Sequence, residues 1–63
     1  MNVMELHYNG NPRLVFIDKI SVLVCNGENT LIYLVGDPEG LCVDESYDEI
    51  KNKLFKAGFV WNV

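Results

Sequence analysis

Between Ile20 and Ile50 the chain has no lysine or arginine, yet seven of its nine acidic residues fall there: Glu28, Asp37, Glu39, Asp44, Glu45, Asp48 and Glu49. The formal net charge is -4, and the basic residues are only Arg13, Lys19, Lys51, Lys53 and Lys56. Binding to a phosphate backbone depends on clustered cations that release counterions, so direct nucleic-acid binding is disfavoured by sign. The last three lysines do cluster, but at the end of an expected helix, where cations complement the macrodipole. An acidic stretch of this kind suits a basic protein surface or a cation.

Other scarcities narrow the function further. No stretch approaches the roughly 20 apolar residues of a transmembrane helix, which points away from a membrane. The first ten residues lack the basic start and apolar run of a secretory leader, so a reduced, cytoplasmic protein is expected. Cys25 and Cys42 are the only cysteines. They are read as small buried hydrophobes, with one disulfide between neighbouring strands as the alternative.

Metal and catalytic chemistry are poorly supplied. Zinc would require His7, Cys25 and Cys42 to converge without any C-x-x-C pair, and the acids from Asp37 to Glu49 lack EF-hand spacing. No metal and no cofactor is expected. His7 is the single histidine, and neither Ser21 nor Ser46 lies in a nucleophile elbow. A chain this small also has little room for a substrate cleft. We expect no catalytic residues, no small-molecule substrate and no enzyme.

What the chain does have is apolar surface. Its 63 residues are 49% hydrophobic, while a domain of this size buries only about 60% of the surface its unfolded chain exposes. The pattern is strand-like at first. Met4, Leu6 and Tyr8 alternate with Glu5 and His7, and Asn9-Gly10 is a strong hairpin signal. Pro12, lacking an amide hydrogen, is expected to delay the second strand to Arg13–Ile17. Strands are expected over about 3–8, 13–17, 20–25, 30–35 and 41–43, with a turn or bulge at Asp18-Lys19 and turns at Asn26–Asn29 and Gly36–Gly40.

One helix stands out, over about 47–57. Ser46-Tyr47-Asp48-Glu49 reads as a capping box, and Tyr47, Ile50, Leu54 and Ala57 share a stripe. Gly58 occupies the position for a left-handed C-terminal residue, with Phe59 folding back. The tail 59–63 alternates in a way that could add an edge strand, with Trp61 as an interface anchor or as a cover for the core. The expected fold is a single α+β domain: one small antiparallel sheet of four to five strands, open or barrel-like, with one C-terminal helix.

Several strands are apolar on both faces, Leu31, Tyr33 and Val35 against Ile32 and Leu34, and Leu14 and Phe16 against Val15 and Ile17. One helix covers one face only, and each large aliphatic side chain left in water forgoes about 1.5–3 kcal/mol. The other face is therefore expected to close a barrel, meet a second copy or bind another protein. Val15, Ile17, Ile32, Leu34 and Trp61 are the candidate contact residues, rimmed by Asp44, Glu45 and Asp48. A register shift of one residue would exchange the two faces. The alternative function is an acidic inhibitor, as carried by phages and mobile elements, that occupies a host protein's basic nucleic-acid-binding surface.

Met4-Glu5-Leu6, Asn9-Gly10, Pro12, Asp18, Ile20, Thr30-Leu31-Ile32-Tyr33-Leu34, Gly36, Val43, Glu45, Ser46 and Glu49 together make a pattern that resembles the FlbD-type flagellar and swarming-motility proteins, over Met4 to about Leu54. Departures occur at Phe16-Ile17, where that family usually has Asn-Pro, at Asn29, where it has Asp, and in the length of the Gly36–Gly40 loop. The resemblance implies a small cytoplasmic accessory protein acting through contacts, with no catalytic residue to carry over. Similar small ββββα proteins of phages share the outline, and a shared fold does not dictate one role.

Overall fold

Local turn chemistry builds two hairpins, and a computed structural model describing residues 2–59 shows how they are joined. Strand β1 (Val3–Tyr8) pairs antiparallel with β2 (Asn11–Phe16), in the register Tyr8↔Asn11 to Val3↔Phe16. The intervening Asn9 and Gly10 have φ of 50° and 81°, the two positive values that a type I′ turn demands and that asparagine and glycine tolerate. Pro12 does not delay β2. It pairs with His7, and alternation outward from the turn makes this a non-hydrogen-bonded pair, where a missing amide hydrogen costs the ladder nothing.

The polar pair Asp18-Lys19 lies in a 3-10 turn, Ile17–Lys19, that leads the chain into a separate sheet. There β3 (Ile20–Asn26), β4 (Asn29–Leu34) and β5 (Leu41–Val43) run antiparallel in the order β3-β4-β5. Gly27, at φ 63°, opens the two-residue turn between β3 and β4, and the register slips by a bulge between Ile20 and Val22. The expectation of one sheet is thus corrected: among the described residues the five strands divide into sheets of two and three, and no barrel closes. Asp18-Lys19 takes the chain out of the first ladder before a third strand can join it.

Helix α1 spans Tyr47–Lys56 and carries the full capping box, Ser46 Oγ accepting from the Glu49 amide and the Glu49 carboxylate accepting from the Ser46 amide. Its far end closes as a Schellman motif, with the Phe59 amide donating to the Leu54 carbonyl at 3.0 Å and that of Gly58 to Phe55 at 3.0 Å. The residues from 60 onward, and with them Trp61 and most of the tail expected to form an edge strand, lie outside the described residues.

The core collects one or two residues from nearly every element: Met4 and Leu6 of β1, Val15 of β2, Ile17, Ile32 of β4, Val43 of β5 and Ile50 of α1. Ile20, Leu23, Leu34, Leu41, Leu54 and Phe59 pack around them. The face expected to be free is therefore the covered one. Val15, Ile17 and Ile32 are buried and Leu34 is half-buried, while Leu14 and Val35 are each 67% exposed and Val22 is 51% exposed. The first hairpin and the helix together shelter the Ile32 side of β4, a choice that a strand apolar on both sides does not itself encode.

The cysteines depart from the expected burial. Cys25 is exposed, Cys42 is half-buried and both are free thiols. Cys25 stands opposite Thr30, whose side chain is buried, and Cys42 opposite Leu31 on the other parity of β4. With β4 between them and their side chains on opposite faces, they do not meet the geometry of a disulfide.

Truncation should read out this assignment of faces. Ile32→Ala is expected to lower unfolding free energy by about 2–5 kcal/mol. Val35→Ala should stay within about 0.5 kcal/mol of the parent. Urea denaturation followed by circular dichroism measures both, and comparable losses would reverse the assignment.

Candidate functional site

Asp44 and Glu45 follow β5 directly and reach back to the first hairpin. The Asp44 amide donates to the His7 carbonyl at 2.7 Å, continuing the ladder from one sheet to the other. The Asp44 carboxylate accepts from both turn amides, Asn9 at 3.0 Å and Gly10 at 2.7 Å. Glu45, only 8% exposed, receives the His7 amide on Oε1 at 2.9 Å and faces His7 Nδ1 with Oε2 at 2.6 Å. Its own carbonyl accepts from the buried Thr30 hydroxyl at 2.9 Å. Two consecutive residues thus tie β1, its turn, β4 and β5 together.

Electrostatics favour the charged pair. The hydrogen bond to Glu45 raises the His7 pKa above 6.5, outweighing partial desolvation, and the charges of Glu45, Glu5 and Asp44 add to the rise. Glu5 lies 3.8 Å from His7 Nε2. For Glu45, burial pushes its pKa up, but the hydrogen bonds from the His7 ring and amide outweigh it and hold the carboxyl below 4.5. Beside the pair the surface dips into an open depression of about 290 Å³ lined by His7, Gly10, Asp44, Glu45 and Glu49. Among the described residues every buried side-chain nitrogen and oxygen has a hydrogen-bond partner. No three of His, Cys, Asp and Glu among them gather as metal ligands. The carboxylates at the base of the depression are already committed to the fold, so what this arrangement does chemically is join the two sheets.

The surface left over is apolar. On the outer side of the three-stranded sheet stand Val22 and Val24 from β3, Leu31 and Tyr33 from β4 and Cys42 from β5, with Val35 at the end of β4. Val22, Val24 and Val35 are exposed. The loop after β4 returns along this face, with Gly40 so close to the Tyr33 ring that a Cβ there would meet ring carbons at 3.1 Å, and the exposed acids Asp37 and Glu39 lie in that loop next to Val35 and Gly40 in sequence. A second, smaller patch, Val3, Leu14 and Phe16, lies on the outer side of the first hairpin.

Of the residues proposed from sequence, Val15, Ile17, Ile32 and Leu34 belong to the core, and Asp44 and Glu45 are occupied within the fold. Asp48 is exposed in the first turn of α1. The bond between His7 and Glu45 spans 38 positions, and no local pattern announces it. The outer-face set was visible as the other half of each two-sided strand. Comparison with family models, with curated proteins and with solved structures finds no match.

The paired shifts set a pH window. A raised His7 pKa contributes stability below 6.5 that is lost as pH climbs through the folded-state value, and a lowered Glu45 pKa contributes stability above 4.5 that is lost as pH falls through its folded value. Stability from the pair should therefore peak between 4.5 and 6.5. Urea midpoints should fall between about pH 6 and pH 9 in the parent and flatten over that interval in Glu45→Gln. An equal slope in both proteins would remove His7 from this role. Separately, Thr30→Val, which strips the donor from the buried Glu45 carbonyl, is expected to cost about 1–3 kcal/mol.

Proposed function

We propose that this chain is a small noncatalytic accessory or regulatory protein of the cytoplasm that works by protein contact, through the outer face of its three-stranded sheet. The observation that carries this reading is the concentration of exposed Val22, Val24 and Val35 around Leu31 and Tyr33, bordered by Asp37 and Glu39. Contiguous apolar surface rimmed by polar groups is characteristic of interaction sites. A role beside a flagellar or swarming apparatus is a narrower form of the same reading and rests on the family resemblance. No helix among the described residues is long and apolar enough to cross a membrane.

The acidic-inhibitor reading draws on a different surface. Glu28, Asp37, Glu39, Asp48 and Glu49 remain exposed, but Glu45 is buried against the His7 segment and the exposed Asp44 engages its carboxylate with the Asn9 and Gly10 amides. That weakens the charge such a mimic could present at its centre.

Salt separates the two. At about 1 M salt the Debye length is roughly 3 Å, so a partner held by the apolar face should remain bound and one held by acids should be released. Immobilised parent protein is expected to retain its partner from a host extract at high salt, and Val35→Glu should reduce the captured amount about tenfold, while Leu14→Glu on the other sheet leaves it unchanged. Release by salt, together with indifference to Val35→Glu, would favour the acidic reading instead.

A further inference from the structure

The edge of the outer sheet supplies a more specific partner. Asn26 and Asn29 flank a two-residue turn and form a hydrogen-bonded pair, so alternation makes Val24–Leu31 the next pair that exchanges bonds within the sheet. Leu23 and Cys25 then direct their amides and carbonyls away from β4, toward an edge of β3 that no strand among the described residues occupies. Natural edge strands are usually blunted by lysine, proline or an inward charge, yet β3 reads Ile-Ser-Val-Leu-Val-Cys-Asn and contains none of these. Its bulge lies at the Ile20 end and leaves Val22 to Asn26 regularly paired.

We propose that a second copy of this chain pairs with β3 edge to edge, antiparallel, about a twofold axis at Val24. The inference rests on the reading of the outer face as a contact surface and deepens it: the second copy takes the edge of that sheet and doubles the face offered to a partner. In this register Leu23 of each copy faces Cys25 of the other, two pairs that exchange four backbone hydrogen bonds and satisfy the open groups of both strands. Val24 meets its own counterpart in a non-hydrogen-bonded pair, where side chains approach most closely. The two outer faces merge into one apolar surface across the joint.

Charge agrees with this occupant. The pairing strand is neutral in a chain of net charge -4, so the acids elsewhere do not meet across the ladder. Beyond the paired residues, exposed Lys19 precedes β3 and exposed Glu28 follows it, so an antiparallel twofold brings opposite charges to each end of the joint. A standard interface removes about 800 Å² from each partner, roughly a sixth of the 4587 Å² this chain exposes. One seven-residue edge supplies less than that, which makes the dimer a weak one, populated at micromolar and higher concentrations.

A cross-link tests the register. Opposed Cα atoms in a non-hydrogen-bonded pair lie about 4.5 Å apart, within the range a disulfide spans. In a chain carrying Cys25→Ser and Cys42→Ser, Val24→Cys should form a covalent dimer under oxidised glutathione at least ten times faster than Val35→Cys, which lies on the same face but off the edge. Sedimentation of the parent should show mass rising toward twice that of one chain with concentration, and Val24→Lys, with unchanged circular dichroism, should hold it at one. Equal cross-linking rates, or a parent that stays monomeric to millimolar concentration, would overturn the pairing. If the dimer fails while Val35→Glu still reduces partner capture about tenfold, the contact face stands and only the edge pairing is wrong; if both fail, the face reading falls too.

Discussion

The fold depends on how a two-stranded hairpin is attached to a three-stranded sheet. An isolated hairpin is marginal in water at best, and the ladder between β1 and β2 ends at a tight turn exposed to solvent. Asp44 and Glu45 supply the attachment. One carboxylate grips the turn amides and the other the His7 amide and ring, while the Asp44 amide carries the ladder across to the His7 carbonyl. Charge-assisted bonds of this kind are shorter and stronger than neutral ones, and the 2.6 Å contact between His7 and Glu45 fits that description. The core packing of Met4 and Leu6 against Ile32 and Val43 follows from the same attachment, since it places one inner face over the other.

This attachment also explains a buried polar residue near the start of a largely apolar strand. Thr30 is fully buried beside Ile32, a position where an unpaired hydroxyl would carry a desolvation penalty. Its hydroxyl donates to the Glu45 carbonyl, so the residue that grips the hairpin is itself held from the sheet side. The acids at 44 and 45 are thereby structural, and within the acidic run the charge left for a partner resides in Glu28, Asp37, Glu39, Asp48 and Glu49. Negative charge on this chain is thus of two kinds, and only their places in the fold tell them apart.

The size of the chain accounts for the rest. One helix and one hairpin can cover one side of the three-stranded sheet, and Ile50, Leu54, Met4 and Leu6 do so. Nothing comparable among the described residues covers Val22, Val24 and Val35. A larger domain would add a layer there. In a domain this small the same apolar side chains give β3 and β4 their strand preference and leave a surface suited to contact.

Local signals were enough for much of this. The capping box at Ser46 and Glu49, the closure at Gly58, the Asn9-Gly10 turn and the hairpin through Gly27 depend on residues within a few positions of one another, and their physics is complete at that range. The α+β class with its C-terminal helix follows from them. Tertiary structure decided what those signals left equal. Leu31 and Ile32 are equally apolar, so which of them is buried depends on where the first hairpin lands. Likewise the stretch Asp18-Lys19 is polar whether it bends a strand or ends a sheet. The roles of Asp44 and Glu45 were hidden for a related reason: a carboxylate reads the same on a solvated rim as on a buried strap, and only its meeting with His7, 38 positions away, tells which it is.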